Sequence, residues 1–140
     1  MPIPFILGAV AAAFTTAEVV ALVVAAFTLG ALLSSGTKDE IYVKIKESGF
    51  EILALFIELI NEKTFAIIKK RLNDNNNELS EKENIVKIIE VLEDEAPTAL
   101  QTIEQNIDKK INEIDEIYDN QMLENLKELK ELIYKTKMSR

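Results

Sequence analysis

The chain reads as an all-α protein: an N-terminal hydrophobic helix of transmembrane length, followed by a helical bundle with coiled-coil-like patterning that lies in the cytoplasm. Three observations predict this. From Ile3 to Leu33 only Glu18 is charged, and no lysine or arginine occurs before Lys38. Beyond residue 36, apolar residues recur every three or four positions with charged residues between them, the period of a helix with one buried face. No hairpin turn signal such as Asn-Gly separates alternating runs, so nothing argues for a sheet. The expected division is 1–36, membrane-inserting, and 37–140, acidic and helical, with helices at about 38–72, 80–95 and 97–138.

The apolar run is rich in Ala, Val, Leu and Phe. Its length of about 31 residues exceeds the roughly 20 that span a bilayer core. It is also about twice a signal-peptide h-region, and the residues before it carry no lysine or arginine, so it reads as retained rather than cleaved. Pro2 and Pro4 suit a helix start. One largely continuous helix to Leu33 is expected, because no turn dipeptide interrupts it. A shorter span over Ala17–Leu33 and a hairpin bent at Thr15-Thr16 are the other arrangements the residues allow. Gly8 and Ala12 are four apart, as are Ala26 and Gly30; such pairs of small residues let helix backbones approach closely in lipid.

Ser34-Ser35-Gly36 ends that helix. Thr37 and Glu40 have capping-box spacing, a hydroxyl at the N-cap and a carboxylate three residues on, and start the next. The second helix runs to about Leu72, with Gly49 a weak point. Its apolar centre, Phe50–Ile60, is read as a buried bundle helix rather than a second span. Glu51, Glu58, Glu62 and Lys63 lie within a span's length, and a charge at bilayer depth costs about 2.5–3.5 kcal/mol. Asn73-Asp74-Asn75-Asn76-Asn77 is a loop, since Asn and Asp favour turns. Ser80 and Glu83 repeat the capping box. Ile85, Ile88, Ile89 and Leu92 form one stripe of the third helix. Pro97 ends it and suits position N1 of the fourth. In that last helix Leu100, Ile103, Ile107, Ile111, Ile114 and Ile117, then Leu123, Leu126, Leu129 and Ile133, step by three or four. Asp119-Asn120-Gln121 interrupts the stripe, marking a bend or a further helix start.

Composition excludes much chemistry. The chain has no histidine, so it lacks the commonest general base and transition-metal ligand. It has no cysteine, hence no disulfide framework or thiolate metal site. Four glycines cannot build a phosphate-cradling loop. Acidic neighbours such as Asp94-Glu95 and Asp115-Glu116 point in different directions on a helix and read as solvated faces. A net charge of −8 argues against a nucleic-acid partner. The chain is expected to be no enzyme and to need no cofactor or metal.

Glu18 carries the sharpest expectation. An ionisable group within a membrane span usually faces protein or water. In a homo-oligomer, Glu18 would line a pore or, protonated, hydrogen-bond to Thr15 or to a neighbouring chain; as an interfacial residue it would need no role. Lys38, Lys44 and Lys46 follow the run and nothing basic precedes it, so the N-terminus is expected outside and the acidic body in the cytoplasm.

The functional expectation is an oligomeric membrane protein that forms a pore or channel. Its helices would pack through Gly8, Ala12, Ala26 and Gly30 in lipid, and the helical domain would control assembly. In size and layout it resembles small phage holins and bacterial toxin-like or defence effectors, without a sequence match. Two other expectations differ in class. One is a membrane-anchored scaffold that binds a helical protein partner, or another copy, through Leu100, Ile103, Ile107, Ile111, Ile114, Leu126, Leu129 and Ile133. The other is a soluble α-helical pore-forming protein whose apolar helix is first buried in its own bundle.

Overall fold

Short-range capping signals decide where the helices begin. Thr37 accepts a hydrogen bond from the Glu40 amide at 3.3 Å and Glu40 accepts one from the Thr37 amide at 2.9 Å. Ser80 and Glu83 make the same reciprocal pair at 3.3 and 2.9 Å. Pro97 occupies the first turn of its helix, where a missing N–H leaves no bond unmade. The structure, a computed structural model, describes residues 26–114 and 119–140.

Among these residues the chain is all-α apart from two two-residue strands. The order is β1 (Phe27–Thr28), α1 (Leu29–Leu33), α2 (Lys38–Glu47), α3 (Glu51–Leu59), α4 (Glu62–Leu72), β2 (Glu78–Leu79), α5 (Glu81–Glu95), α6 (Pro97–Glu113) and α7 (Asn120–Met138). The strands pair antiparallel, Phe27 opposite Leu79 and Thr28 opposite Glu78. Helix α7 packs on α3, α5 and α6, and α5 packs on α3 and α6, with α2 against α3 and α4 against α5. Phe56, Leu53, Ile57, Ile85, Ile88, Ile89, Leu126, Leu129 and Ile133 are among the side chains that form one contiguous buried core.

Three expected helices are divided. The segment 38–72 is three helices. Gly49 takes φ 87°, a left-handed conformation that ends α2 and that side-chain-bearing residues rarely adopt. The second break lies at Ile60, which is extended; Asn61 then caps α4 by accepting from the Thr64 amide at 2.8 Å. The segment 97–138 is two helices. α6 stops at Glu113, and Asp119 caps α7 by accepting from the Met122 amide at 3.2 Å. Asp115, Glu116 and Ile117 lie outside the described residues.

The third division concerns the apolar run. A continuous helix to Leu33 is not what the structure contains. Phe27 and Thr28 are extended, with Thr28 at ψ 122°, and only Leu29–Leu33 are helical. Leu29, Gly30 and Leu33 are buried, and α1 packs on α4. The reason is tertiary: Leu79 and Glu78 offer an edge to Phe27 and Thr28, and two leucines one turn apart find apolar cover beside α4. The last turn of the alternative span Ala17–Leu33 is seated in the bundle core in this structure, and residues 1–25 lie outside the described residues. No helix among the described residues is long and apolar enough to cross a membrane. Phe50–Ile60 is a bundle helix as expected, with Ile52 to Ile57 all buried.

Candidate functional site

The segment Phe27–Leu33 is a strap that fastens the start of the described chain to the helical body. The phenyl rings of Phe27 and Phe50 stack at a tilt, with centroids 4.7 Å apart. The Gly30 amide donates to the Asn75 carbonyl at 3.1 Å. A Cβ at Gly30 would lie 2.7 Å from the Asn73 and Asn75 carbonyl oxygens and 2.8 Å from the Asn75 nitrogen. Only glycine allows that approach, because backbone atoms have no flexible end to yield. At the far end of α1, Lys44 donates to the Ser35 carbonyl at 3.1 Å and Lys69 to the Gly36 carbonyl at 2.9 Å. Two cations at a helix C-terminus are electrostatically favourable.

Beneath the strap lies Asn84, fully buried on α5. Its Nδ2 donates to the Leu79 carbonyl at 3.0 Å and to the Phe27 carbonyl at 3.4 Å, tying both strands to the helix. Among the described residues its Oδ1 has no hydrogen-bond partner. A buried acceptor left in this state costs about 1–3 kcal/mol.

A second polar group adjoins the strap through Phe50. Phe50 is the N-cap of α3 and has no side chain to bond its amides. Glu81 of α5 supplies the missing acceptor: its Oε2 accepts from the Leu53 amide at 3.0 Å. Burial pushes the Glu81 carboxyl above the usual range; the Leu53 and Ile52 amides pull the other way, and Glu128 adds repulsion. Nearby, Asn125 of α7 donates to Glu51 at 3.3 Å and accepts from Gln121 at 3.0 Å. Glu51, Glu81, Gln121 and Asn125, with Gly49 and Ile52, line an open cleft of about 330 Å3. The cleft is rich in oxygen acceptors. Among the described residues no group of three or more carboxylates could hold a metal ion.

The residues singled out from the sequence fall as follows. Gly8, Ala12, Thr15 and Glu18 lie outside the described residues. Ala26 is exposed and precedes the extended pair Phe27–Thr28, so it does not share a helical face with Gly30. Gly30 packs against the 73–75 loop of its own chain. Leu100, Ile103, Ile107, Leu126, Leu129 and Ile133 are buried, and Ile111 and Ile114 partly so, in the chain's own core. The stripe is covered by α5, α6 and α7 packing together. Sequence reasoning missed Asn84 and Glu81. Both sit beside a recognised signal, the Ser80 capping box, but their partners come from Phe27, Leu53 and Leu79, and only the fold brings those together.

Comparison of the chain with protein-family models, with curated proteins and with solved structures finds no match.

Proposed function

We propose that this protein permeabilises membranes: copies insert the apolar segment that precedes Phe27, associate in the bilayer and form a pore or channel, while the helical body controls assembly. The observation that carries this reading is where the strap fastens. While Leu29–Leu33 are seated in the body, the stretch free to insert is Ile3–Ala26, and release of the strap would only add to it. As a helix it would be about 36 Å long, closer to the ~30 Å hydrocarbon core than the longer run. Its midpoint falls at Phe14-Thr15, so Glu18 lies only about 5 Å along the axis from the bilayer centre. An interfacial Glu18 required the span Ala17–Leu33. Deep placement favours a carboxylate that faces a water-filled lumen or a neighbouring copy.

The scaffold alternative loses ground, because its apolar stripe is occupied within the chain. The body itself exposes few large apolar side chains, Val43, Tyr134 and Met138 among the described residues. Orientation follows Lys38, Lys44 and Lys46, joined by Lys69 at the same loop, which favours a cytoplasmic body and an outside N-terminus. No enzymatic step is part of the proposal.

The test is expression in bacterial cells loaded with a membrane-potential dye, comparing the native chain with Glu18→Gln. The expected result is depolarisation by the native chain and an altered rate or extent with Glu18→Gln at equal membrane content. Unchanged potential with the native chain, recovered in the membrane fraction, refutes the proposal.

A further inference from the structure

We propose that Phe27–Leu33 is a releasable latch: it opens as a unit while the rest of the bundle stays folded, and its opening hands Leu29–Leu33 to the bilayer. The proposal rests on the membrane-permeabilising reading above. Its own basis is the contrast between the strap's fastenings and the core beneath.

The strap is held by short pieces. The strand pair has two residues on each side, and α1 has five. Neither length is stable alone. Leu29 and Leu33 are its two fully buried apolar side chains, with Phe27 and Leu32 half-buried against the core. The bundle below is fastened differently: Ile85, Ile88, Ile89, Leu126, Leu129 and Ile133 are fully buried on helices of 15 and 19 residues. Units with few buried contacts open at lower free energy than the global transition.

The pin of the latch is polar. Asn84 bonds the carbonyls of both strands through one nitrogen, and among the described residues nothing answers its oxygen. When the strap lifts, water reaches both the oxygen and the released Phe27 carbonyl, so opening recovers hydration that the closed state lacks. The Gly30 contact makes the seat exacting as well: the 73–75 loop touches backbone, and one methyl group is enough to displace it. Release restores an apolar run from Ile3 to Leu33 with Glu18 as its one charge. The additional residues Leu29, Leu32 and Leu33 favour lipid over water.

Two variants move the latch in opposite directions. Gly30→Ala opens it. Thr28→Cys with Glu78→Cys closes it, because antiparallel Cα partners lie within disulfide range and the native chain has no cysteine to interfere. Two measurements on the full chain are paired. The first is amide hydrogen exchange. The Gly30 amide of the native protein is expected to exchange about 100-fold faster than that of Ile88, and the oxidised pair to bring it close to the core rate. The second is dye release from vesicles of phosphatidylethanolamine and phosphatidylglycerol. Gly30→Ala is expected to raise the release rate about tenfold, and oxidation of the cysteine pair to lower it about tenfold, with reduction restoring it. Should Gly30→Ala fail to fold, the oxidised and reduced forms of one protein still decide the matter.

Exchange of Gly30 at the core rate overturns the latch, since the strap then opens only with global unfolding. Equal dye release from oxidised and reduced forms overturns it too, and leaves the membrane reading standing. Dye release by none of the forms, with Gly30 exchanging fast, defeats the membrane reading instead and takes the latch's role with it.

Discussion

Glu81 makes a prediction whose sign runs against the usual behaviour of a carboxylate. It caps α3 from another helix, and it does so half-buried beside Glu51 on α3 and Glu128 on α7, with Lys82 as the nearest cation on its own helix. Removing an N-terminal cap costs about 1 kcal/mol, and a charged acceptor on a backbone amide contributes up to about 3 kcal/mol. Glu81→Ala should therefore destabilise by about 1–2 kcal/mol. Glu81→Gln keeps an oxygen for the Leu53 amide and removes the charge that burial penalises; its stability near pH 7 should match the native protein within about 0.5 kcal/mol. The pH dependence separates them further. A folded-state pKa raised above the unfolded value means that the group's contribution is complete below the unfolded pKa and is lost as pH rises through the folded one. Glu40 and Glu83 behave oppositely. Hydrogen bonds from Thr37 and Ser80 hold them below the usual range, so their contributions are present above the unfolded value and vanish only as pH falls through the folded one. From the unfolded carboxyl value up through the raised folded one, Glu81 is thus the group whose burial sets the slope, and native stability should fall as pH rises relative to Glu81→Gln. Urea unfolding followed by circular dichroism at both ends of that window measures it. A native protein that gains stability with pH relative to Glu81→Gln refutes the account, as does a Glu81→Ala variant without loss.

Other outcomes follow from the same geometry. Gly49→Ala should cost about 1 kcal/mol in urea unfolding through backbone strain alone, because nothing lies within 4 Å of the added methyl; Gly49→Asn should cost less, since Asn tolerates the left-handed region. Phe56→Ala removes a fully buried ring from α3 and should cost about 3–5 kcal/mol, read as a drop in urea midpoint at constant slope. Arg140→Ala severs its bonds to the Glu90 carbonyl at 2.9 Å and to Asp94 at 2.8 Å at the end of α5. Thermal unfolding should register about 1 kcal/mol or less, diminishing in high salt.

What could be read from the chain was what a few consecutive residues decide. Thr37 with Glu40, Ser80 with Glu83, and Pro97 specify helix starts through bonds made within one turn, and all three are where the spacing places them. The break at Gly49 was a visible weak point. The break at Asn61 was equally local, an N-cap residue followed by Glu62, but the apolar residues on both sides masked it: Leu59, Ile60, Phe65 and Ile68 keep a helical rhythm across an extended residue. Other features depend on partners distant in sequence. Glu81 reaches Leu53 and Asn84 reaches Phe27 only after α5 has packed on α3 and against β1. Gly30 has the spacing of a helix-packing residue, and its real neighbours, Asn73 and Asn75, lie in a loop that reads merely as polar.

The stripe from Leu100 to Ile133 shows why periodicity alone cannot name an occupant. Residues stepping by three and four are what a coiled coil between two chains needs and equally what a core helix needs. Chain connectivity distinguishes the two. Only Ala96 separates α5 from α6, and a short connection obliges consecutive helices to lie side by side and antiparallel. Helix α7 lies against α6 as well, and Lys137 pairs with Glu104 at 2.9 Å across the two. Three helices that must be neighbours cover one another's apolar faces before another chain can reach them. Among the described residues, the apolar run is joined to that bundle through the strap alone. Residues 27–33 are therefore where a change in the bundle's packing would first reach the apolar sequence before them.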